Sequence, residues 1–107
     1  MSHRSIFLDD EWLRRVFPLL NRQELRLCAL IADKGLRPTS PAELAGALGA
    51  PEPTLKRLLV LLTQHGVVFR QALPKGRCRL GFSPDFEQAE QLLRRAGREP
   101  GRRRRAA

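Results

Sequence analysis

A mainly α-helical domain carrying one small β-hairpin is predicted by three features of the sequence. Apolar residues recur at three- and four-residue spacing in successive stretches as far as His65. Capping signals stand at the heads of several stretches: Asn21 with Glu24, Ser40-Pro41 with Glu43, and Ser83-Pro84-Asp85. From Val67 to Phe82 the apolar period changes to two, the spacing of a strand. A chain of 107 residues holds one modest core. It is placed in residues 1–97 as a single domain, with 98–107 expected as a disordered basic tail because REPGRRRRAA has almost no apolar content.

Taken in order, residues 1–8 are expected to be loosely held, with Ile6, Phe7 and Leu8 able to pack as an arm. Asp9 or Asp10 can cap a first flanking helix within 9–20. Its Trp12, Leu13, Val16 and Phe17 fall near one face, and Pro18 ends or kinks it. Asn21 and Glu24 open a second helix that is broadly apolar and central, stopped by Gly35. Ser40, Pro41 and Glu43 form a second capping box, ahead of a short helix with Leu44, Ala45 and Leu48 inward and Gly49 at its end. Gly46, inside that helix, either weakens it or admits close packing. After the turn Ala50-Pro51, the helix Glu52 to His65 buries Leu55, Leu58, Leu59 and Leu62, and Gly66 closes it. VVFRQAL and RCRLGF then pair about Pro74-Lys75-Gly76, with Cys78, Leu80 and Phe82 inward and Arg77 and Arg79 outward. A last flanking helix, 84–96, turns Phe86, Ala89, Leu92, Leu93 and Ala96 to the core.

A short capped helix, a tight turn, a longer half-buried helix and a basic hairpin make a winged helix-turn-helix. Its reading head covers about 40–82, with extra N- and C-terminal helices. In such a fold the N-terminal part of the second helix enters the major groove of DNA. The outward positions there are Glu52, Pro53, Thr54, Lys56 and Arg57. Lys56 and Arg57 can pair with guanine edges or phosphates, and Thr54 can touch a phosphate or a thymine methyl. On the hairpin, Arg70, Lys75, Arg77 and Arg79 are placed to straddle the backbone or reach a minor groove. Thr39 and Ser40 stand at the head of the supporting helix as phosphate contacts, with capping the primary role of Ser40. Each of these groups could equally be ordinary solvated surface; their position on these elements favours recognition.

Charge is unevenly distributed. Residues 1–49 hold 7 Lys/Arg against 6 Asp/Glu, 50–82 hold 6 against 1, and 83–107 hold 7 against 4, for a net of +9. A localised positive excess is the footprint of a polyanion binder. Arg102 to Arg105 could thicken that contact or be inert. No apolar run approaches the roughly 18 residues that span a bilayer, and MSHRSIFLDDEW lacks the apolar core of a secretory signal. A cytoplasmic location is therefore expected. Cys28 and Cys78 sit among apolar neighbours and read as packing residues. With only His3 and His65 besides, no zinc-ligand spacing exists, and no metal or cofactor is expected. No acid–base pair, supported nucleophile or phosphate loop argues for an enzyme. The chain lacks tyrosine and places its Phe and Trp on apolar faces, against a single-strand binder that stacks bases.

PEPTLKRLLVLLTQHGVV followed by GRCRLG resembles the DNA-binding domains of IclR-type regulators, in which a Thr-containing recognition helix ends in Gly and a short basic wing follows. MarR- and ArsR-type winged helices are similar. The resemblance spans about residues 23–82. It implies a small transcriptional regulator that binds double-stranded DNA sequence-specifically as a homodimer. The recognition helix 52–65 would lie in the major groove and the wing 67–82 on the backbone or minor groove. By position, Thr54, Lys56 and Arg57 would face the groove, and Lys75 and Arg77 would lie on the wing. Two departures stand out: 107 residues leave no room for the IclR effector-binding domain, and Glu52 and Pro53 replace the usual basic or small polar residues. Reading a palindrome needs two heads, so Trp12, Phe17, Phe86, Leu92 and Leu93 are expected at a dimer interface, the other reading being a thicker core. Two further functions compete: a winged helix used for protein–protein contact or assembly, and DNA binding without sequence preference, of a plasmid-maintenance type.

Overall fold

Helix α2 (Arg22–Lys34) starts on a complete capping box. Asn21 Oδ1 accepts from the Glu24 amide at 2.8 Å, and Glu24 Oε1 accepts from the Asn21 amide at 2.9 Å. Leu27, Cys28 and Ile31 on its inner side are buried. The structure is a computed structural model and describes residues 10–99 of the 107. The predicted arm of Ile6, Phe7 and Leu8, the cap at Asp9 and the arginines 102–105 lie outside the described residues.

Ahead of α2 stand α1 (Asp10–Arg15) and a 3-10 turn at Phe17–Leu19, entered where Pro18 cannot continue an α-helix. Trp12 is 1% exposed and meets the rings of Phe82 and Phe17 edge-on, at 5.5 and 6.3 Å. Burying an indole is worth roughly 4–6 kcal/mol before entropy, so α1 belongs to the core. The expected single apolar face splits. Trp12 and Val16 point inward while Leu13 and Phe17 are exposed, because each successive residue rotates about 100° around so short a helix.

The short helix α3 (Pro41–Leu48) begins where Ser40 Oγ accepts from the Glu43 amide at 3.2 Å. Only half of the expected second capping box forms. The Glu43 carboxylate turns to Lys34 and to the Thr39 hydroxyl instead of the Ser40 amide. Gly49 supplies the left-handed turn, at φ 78°, that leads into α4 (Glu52–Gln64). A Cβ on Gly46 would meet nothing within 4 Å, so close packing is not its role. On α4, Leu55, Leu58, Leu59 and Leu62 are buried as their spacing predicts.

β1 (Val68–Ala72) and β2 (Cys78–Phe82) pair antiparallel, with Val68 opposite Phe82 and Ala72 opposite Cys78. Leu73 donates to the Arg77 carbonyl at 2.8 Å and closes a three-residue tip, Pro74–Gly76. Thr39 adds a third rung, exchanging both backbone hydrogen bonds with Cys78 at 2.8 Å. The last helix, α5 (Phe86–Arg95), is capped by Asp85, whose carboxylate accepts from the Gln88 amide at 3.1 Å. Ala89 and Leu93 are buried, Phe86 and Leu92 half-buried, and Ala96 is exposed, contrary to its predicted place on the core face. Arg15 joins α1 to α5 by bonding both Glu11 and Glu90 at 3.0 Å.

Two expectations change. Trp12 and Leu93, at 1% and 0% exposure, are interior residues and cannot form a dimer interface. The tail does not begin at 98. Arg98 forks onto buried Glu24 at 2.6 and 2.8 Å and donates to the Leu19 carbonyl at 3.1 Å, which makes it part of the fold.

Candidate nucleic-acid interface

The leucine stripe fixes how α4 is rolled, and thereby which residues it presents outward. Lys56 and Arg57 are exposed and Thr54 is half-buried. Lys56 Nζ lies 3.5 Å from Glu52 Oε2, one turn earlier. That pairing is weak, as exposed pairs of this spacing are, but it halves the local positive charge. Arg57 forms no ion pair among the described residues. Further along, Val60 is 49% exposed, and with Leu61, Gln64, Pro53 and Gln23 of α2 it lines an open groove of about 670 Å³.

At the hairpin tip Lys75 holds φ 63° and ψ 34°, the left-handed region, where it stands as the non-glycine with positive φ among the described residues. A side chain there costs about 1 kcal/mol relative to glycine. Arg77 donates to the Pro38 carbonyl at 3.1 Å, which ties the tip end of the wing to the segment entering α3. Arg70 does not share a face with Arg79. Arg79 sits opposite Gln71, whereas Arg70 sits opposite inward-facing Leu80, so Arg70 and Arg79 project from opposite faces of the hairpin. Arg70 is nevertheless exposed, where the helices no longer cover that face.

Thr39 drops out of the contact set. It is 1% exposed, its backbone is committed to Cys78 and its hydroxyl donates to Glu43 at 3.3 Å. Ser40 caps α3 and is half-buried, its hydroxyl proton still able to serve a phosphate. Below it, the Glu43 carboxyl is held under its ordinary value by the hydrogen bond from Lys34, with help from Thr39 and the charge of Arg77. One carboxylate thus sits between Lys34 and Arg77, near the tip end of the wing.

The order of helices, the free N-terminal half of α4 and the hairpin can be matched to solved structures. A point mutant of Staphylococcus aureus MepR bound to an oligodeoxyribonucleotide aligns at a TM-score of 0.57 and 15% identity, over 81% of this chain and 63% of that one. MepR itself, described as a transcription regulator of the multidrug efflux pump MepA, aligns at 0.52 and 19% identity, over 89% and 67%. The transcriptional regulator PA4135 aligns at 0.53 and 18%, over 87% and 66%. The fold is a winged helix. These neighbours are of the MarR type, the second of the types the sequence resembles, and the chain spans under two thirds of the first of them. No family pattern and no curated protein matches the sequence.

Sequence reasoning missed the groove beside α4 and the role of Arg98. It read Glu24 as a cap and Arg98 as tail, and only the path of the chain after Gly97 brings them together. Burial acts to raise the Glu24 carboxyl. The hydrogen bonds from Arg98, the Asn21 amide and the charges of Arg98 and His65 outweigh it and hold the group below its ordinary value. Cys28 and Cys78 are buried free thiols, and burial, with the charge of Glu24, pushes Cys28 up to about 12. Cys28 is a packing group with no accessible thiolate. Among the described residues no helix is long and apolar enough to cross a membrane, and no cluster of three His, Cys, Asp or Glu could hold a metal.

Proposed function

We propose that the protein binds double-stranded DNA sequence-specifically, as a homodimer, and regulates transcription in the cytoplasm. The observation that carries this is the roll of α4: four buried leucines leave Lys56 and Arg57 exposed and Thr54 half-buried on its N-terminal half, with the basic hairpin following. In this reading α4 occupies the major groove and Arg57 is its principal base or phosphate contact. Lys75, Arg77 and Arg79 serve the backbone or minor groove, Ser40 donates to a phosphate, and Arg70 is peripheral. The DNA-bound MepR structure supports the reading through its shared fold. The dimer would form through the exposed side of α1 and the 3-10 turn, Leu13 and Phe17, together with the half-buried Phe86 and Leu92. Whether the protein sides with IclR-type or MarR-type regulators rests on its α4 and wing sequence, which favours the former, and on its neighbours in fold, which favour the latter.

A second reading has its own observation. The apolar groove along α4, with Val60 exposed, suits a protein partner better than a base edge. Selection of bound duplexes from a random pool, with and without Lys56 and Arg57 changed to alanine, separates the two. A palindromic motif lost in the double mutant supports the regulator. Binding without a motif indicates sequence-independent DNA binding, and no binding at moderate salt turns the assignment to protein contact.

A further inference from the structure

We infer that the outer edge of β1 takes an added strand from another protein, an extended segment that alternates apolar and acidic residues. The hydrogen-bond register fixes which backbone groups that edge offers. Ser83 donates to the Val67 carbonyl at 3.1 Å, and Leu73 to the Arg77 carbonyl at 2.8 Å. Residues that face their partner alternate along an antiparallel pair, so Phe69 and Gln71 turn their backbone groups to β2. Arg70 and Ala72 turn theirs away. Cys78 on β2 is turned away from β1 in the same manner, and it exchanges both backbone bonds with Thr39. The outer edge of β2 is thus occupied at that point, while among the described residues no strand pairs with the outer edge of β1.

Side chains decide what kind of segment fits. β1 is exposed from Phe69 to Ala72 and carries neither a proline nor a bulge, devices that blunt such an edge. Its one charge is Arg70, and an acidic residue set beside it makes an opposite-charge cross-strand pair. On the other face Phe69, 45% exposed, covers Gly81 together with Leu36, so the next residue of the segment meets an apolar surface. Neighbours along a strand point to opposite sides, and alternation of acidic and apolar residues therefore suits both faces at once. Strand addition works in this way generally, with main-chain bonds for affinity and alternate side chains for specificity. A second copy of this chain fits poorly. Pairing β1 with itself about a two-fold axis at Arg70 sets that arginine against its own copy, and like charges directly opposite repel. The excess of six Lys/Arg over one Asp/Glu in residues 50–82 adds to the repulsion and favours an acidic partner. The inference uses no residue of α4 and holds whether or not the DNA-binding reading does.

The test is selection of short random peptides displayed on phage against the full chain, followed by anisotropy of the enriched peptides and amide hydrogen exchange by NMR. The expected peptides alternate apolar residues with Asp or Glu. On binding, the Arg70 and Ala72 amides should become protected from exchange, whereas those of Phe69 and Gln71, bonded to β2, are protected beforehand. Ala72→Pro removes one outward N–H and leaves the ladder to β2 alone, and it should weaken binding roughly five-fold, the loss of one hydrogen bond. Arg70→Glu changes an exposed side chain and spares the fold. It should weaken binding about ten-fold as attraction turns to repulsion, and peptides with Lys in place of their acids should recover it. Peptides that bind both variants as they bind the parent sit elsewhere and overturn the proposal, as does enrichment of basic peptides or of none. Protection of the Arg70 and Ala72 amides in the free protein would show an edge already taken, and overturns it as well.

Discussion

Arg98 and Glu24 are 74 residues apart in sequence, yet they form two hydrogen bonds of 2.6 and 2.8 Å around a carboxylate that also caps α2. Replacing Arg98 with alanine leaves that buried charge with only the Asn21 amide. Loss of one partner of a buried pair costs about 3–5 kcal/mol, and Arg98, partly exposed, belongs near 3. Arg98→Lys should recover only part of this, because an ammonium cannot fork onto both oxygens. Urea unfolding of the three proteins checks it, and a loss below 1 kcal/mol for the alanine variant would show the pair to be incidental.

The same carboxylate sets a pH dependence. Glu24 titrates below its ordinary 4.5 in the folded protein because its bonds to Arg98 and Asn21 outweigh burial. A depressed carboxylate contributes stability that is fully present above its unfolded value and is lost as pH falls through the folded one. Stability should therefore be level from pH 7 to about 5 and fall below 4.5, with Glu11, Glu43 and Glu90 adding in the same direction. Urea midpoints at pH 6 and pH 3.5 measure the drop. In Arg98→Ala the drop should be smaller, and an equal drop would assign the acid sensitivity to other carboxylates.

Phe69 lies across the hairpin from Gly81, and a Cβ on Gly81 would stand 2.5 Å from the Phe69 Cζ and 3.1 Å from Leu36 Cδ2. The glycine is buried under a ring and a leucine that are themselves 45% and 46% exposed. A ring covering a strand glycine is a stabilising cross-strand pair. Gly81→Ala should push the ring outward and cost about 1–2 kcal/mol. In a Phe69→Ala background the same change should be nearly neutral. A double-mutant cycle in thermal unfolding tests this, and additive losses would mean the clash is with the backbone or Leu36.

What the sequence made legible was what is local. The Asn21–Glu24 box and the leucine stripe of α4 are decided within one or two turns of helix, and both formed as their spacing predicts. The inward side of β2 was also readable from alternation. The facing of Arg70 was not, because it depends on which β2 residue it stands opposite, and that register is a property of the pair. Thr39 looked like a solvent-facing residue before a cap, and only its bridge to Cys78 buries it. The flanking aromatics carried no label of core or interface. Trp12 became core because Phe82 arrives from 70 residues away.

Lys75 sets stability against binding. Its left-handed backbone should be more comfortable as glycine, so Lys75→Gly is expected to stabilise the domain by about 0.5–1 kcal/mol. The same change removes the charge at the tip of the wing, and duplex affinity should fall, with the salt slope reduced by about 0.9. Opposite signs in the two measurements would mark the lysine as kept for contact. Gain of stability with unchanged affinity would leave the wing tip without a role in binding.

Glu52 poses a similar conflict at the head of α4. Pro51 precedes it with no side-chain cap, so Glu52 is the acidic group that meets the positive end of the helix, and it also holds Lys56 at 3.5 Å. An acidic group there is worth about 0.3–1 kcal/mol to the helix. Against DNA it works the other way, repelling phosphate and occupying Lys56. Glu52→Gln should therefore lower stability by about 0.5 kcal/mol while tightening duplex binding several-fold at low salt, an advantage that shrinks as salt screens the charge. Thermal unfolding and anisotropy on one preparation read both effects. Weaker binding in the variant would mean that Glu52 itself accepts a contact from DNA, such as a cytosine amino group, and that the leading turn of α4 reads sequence directly.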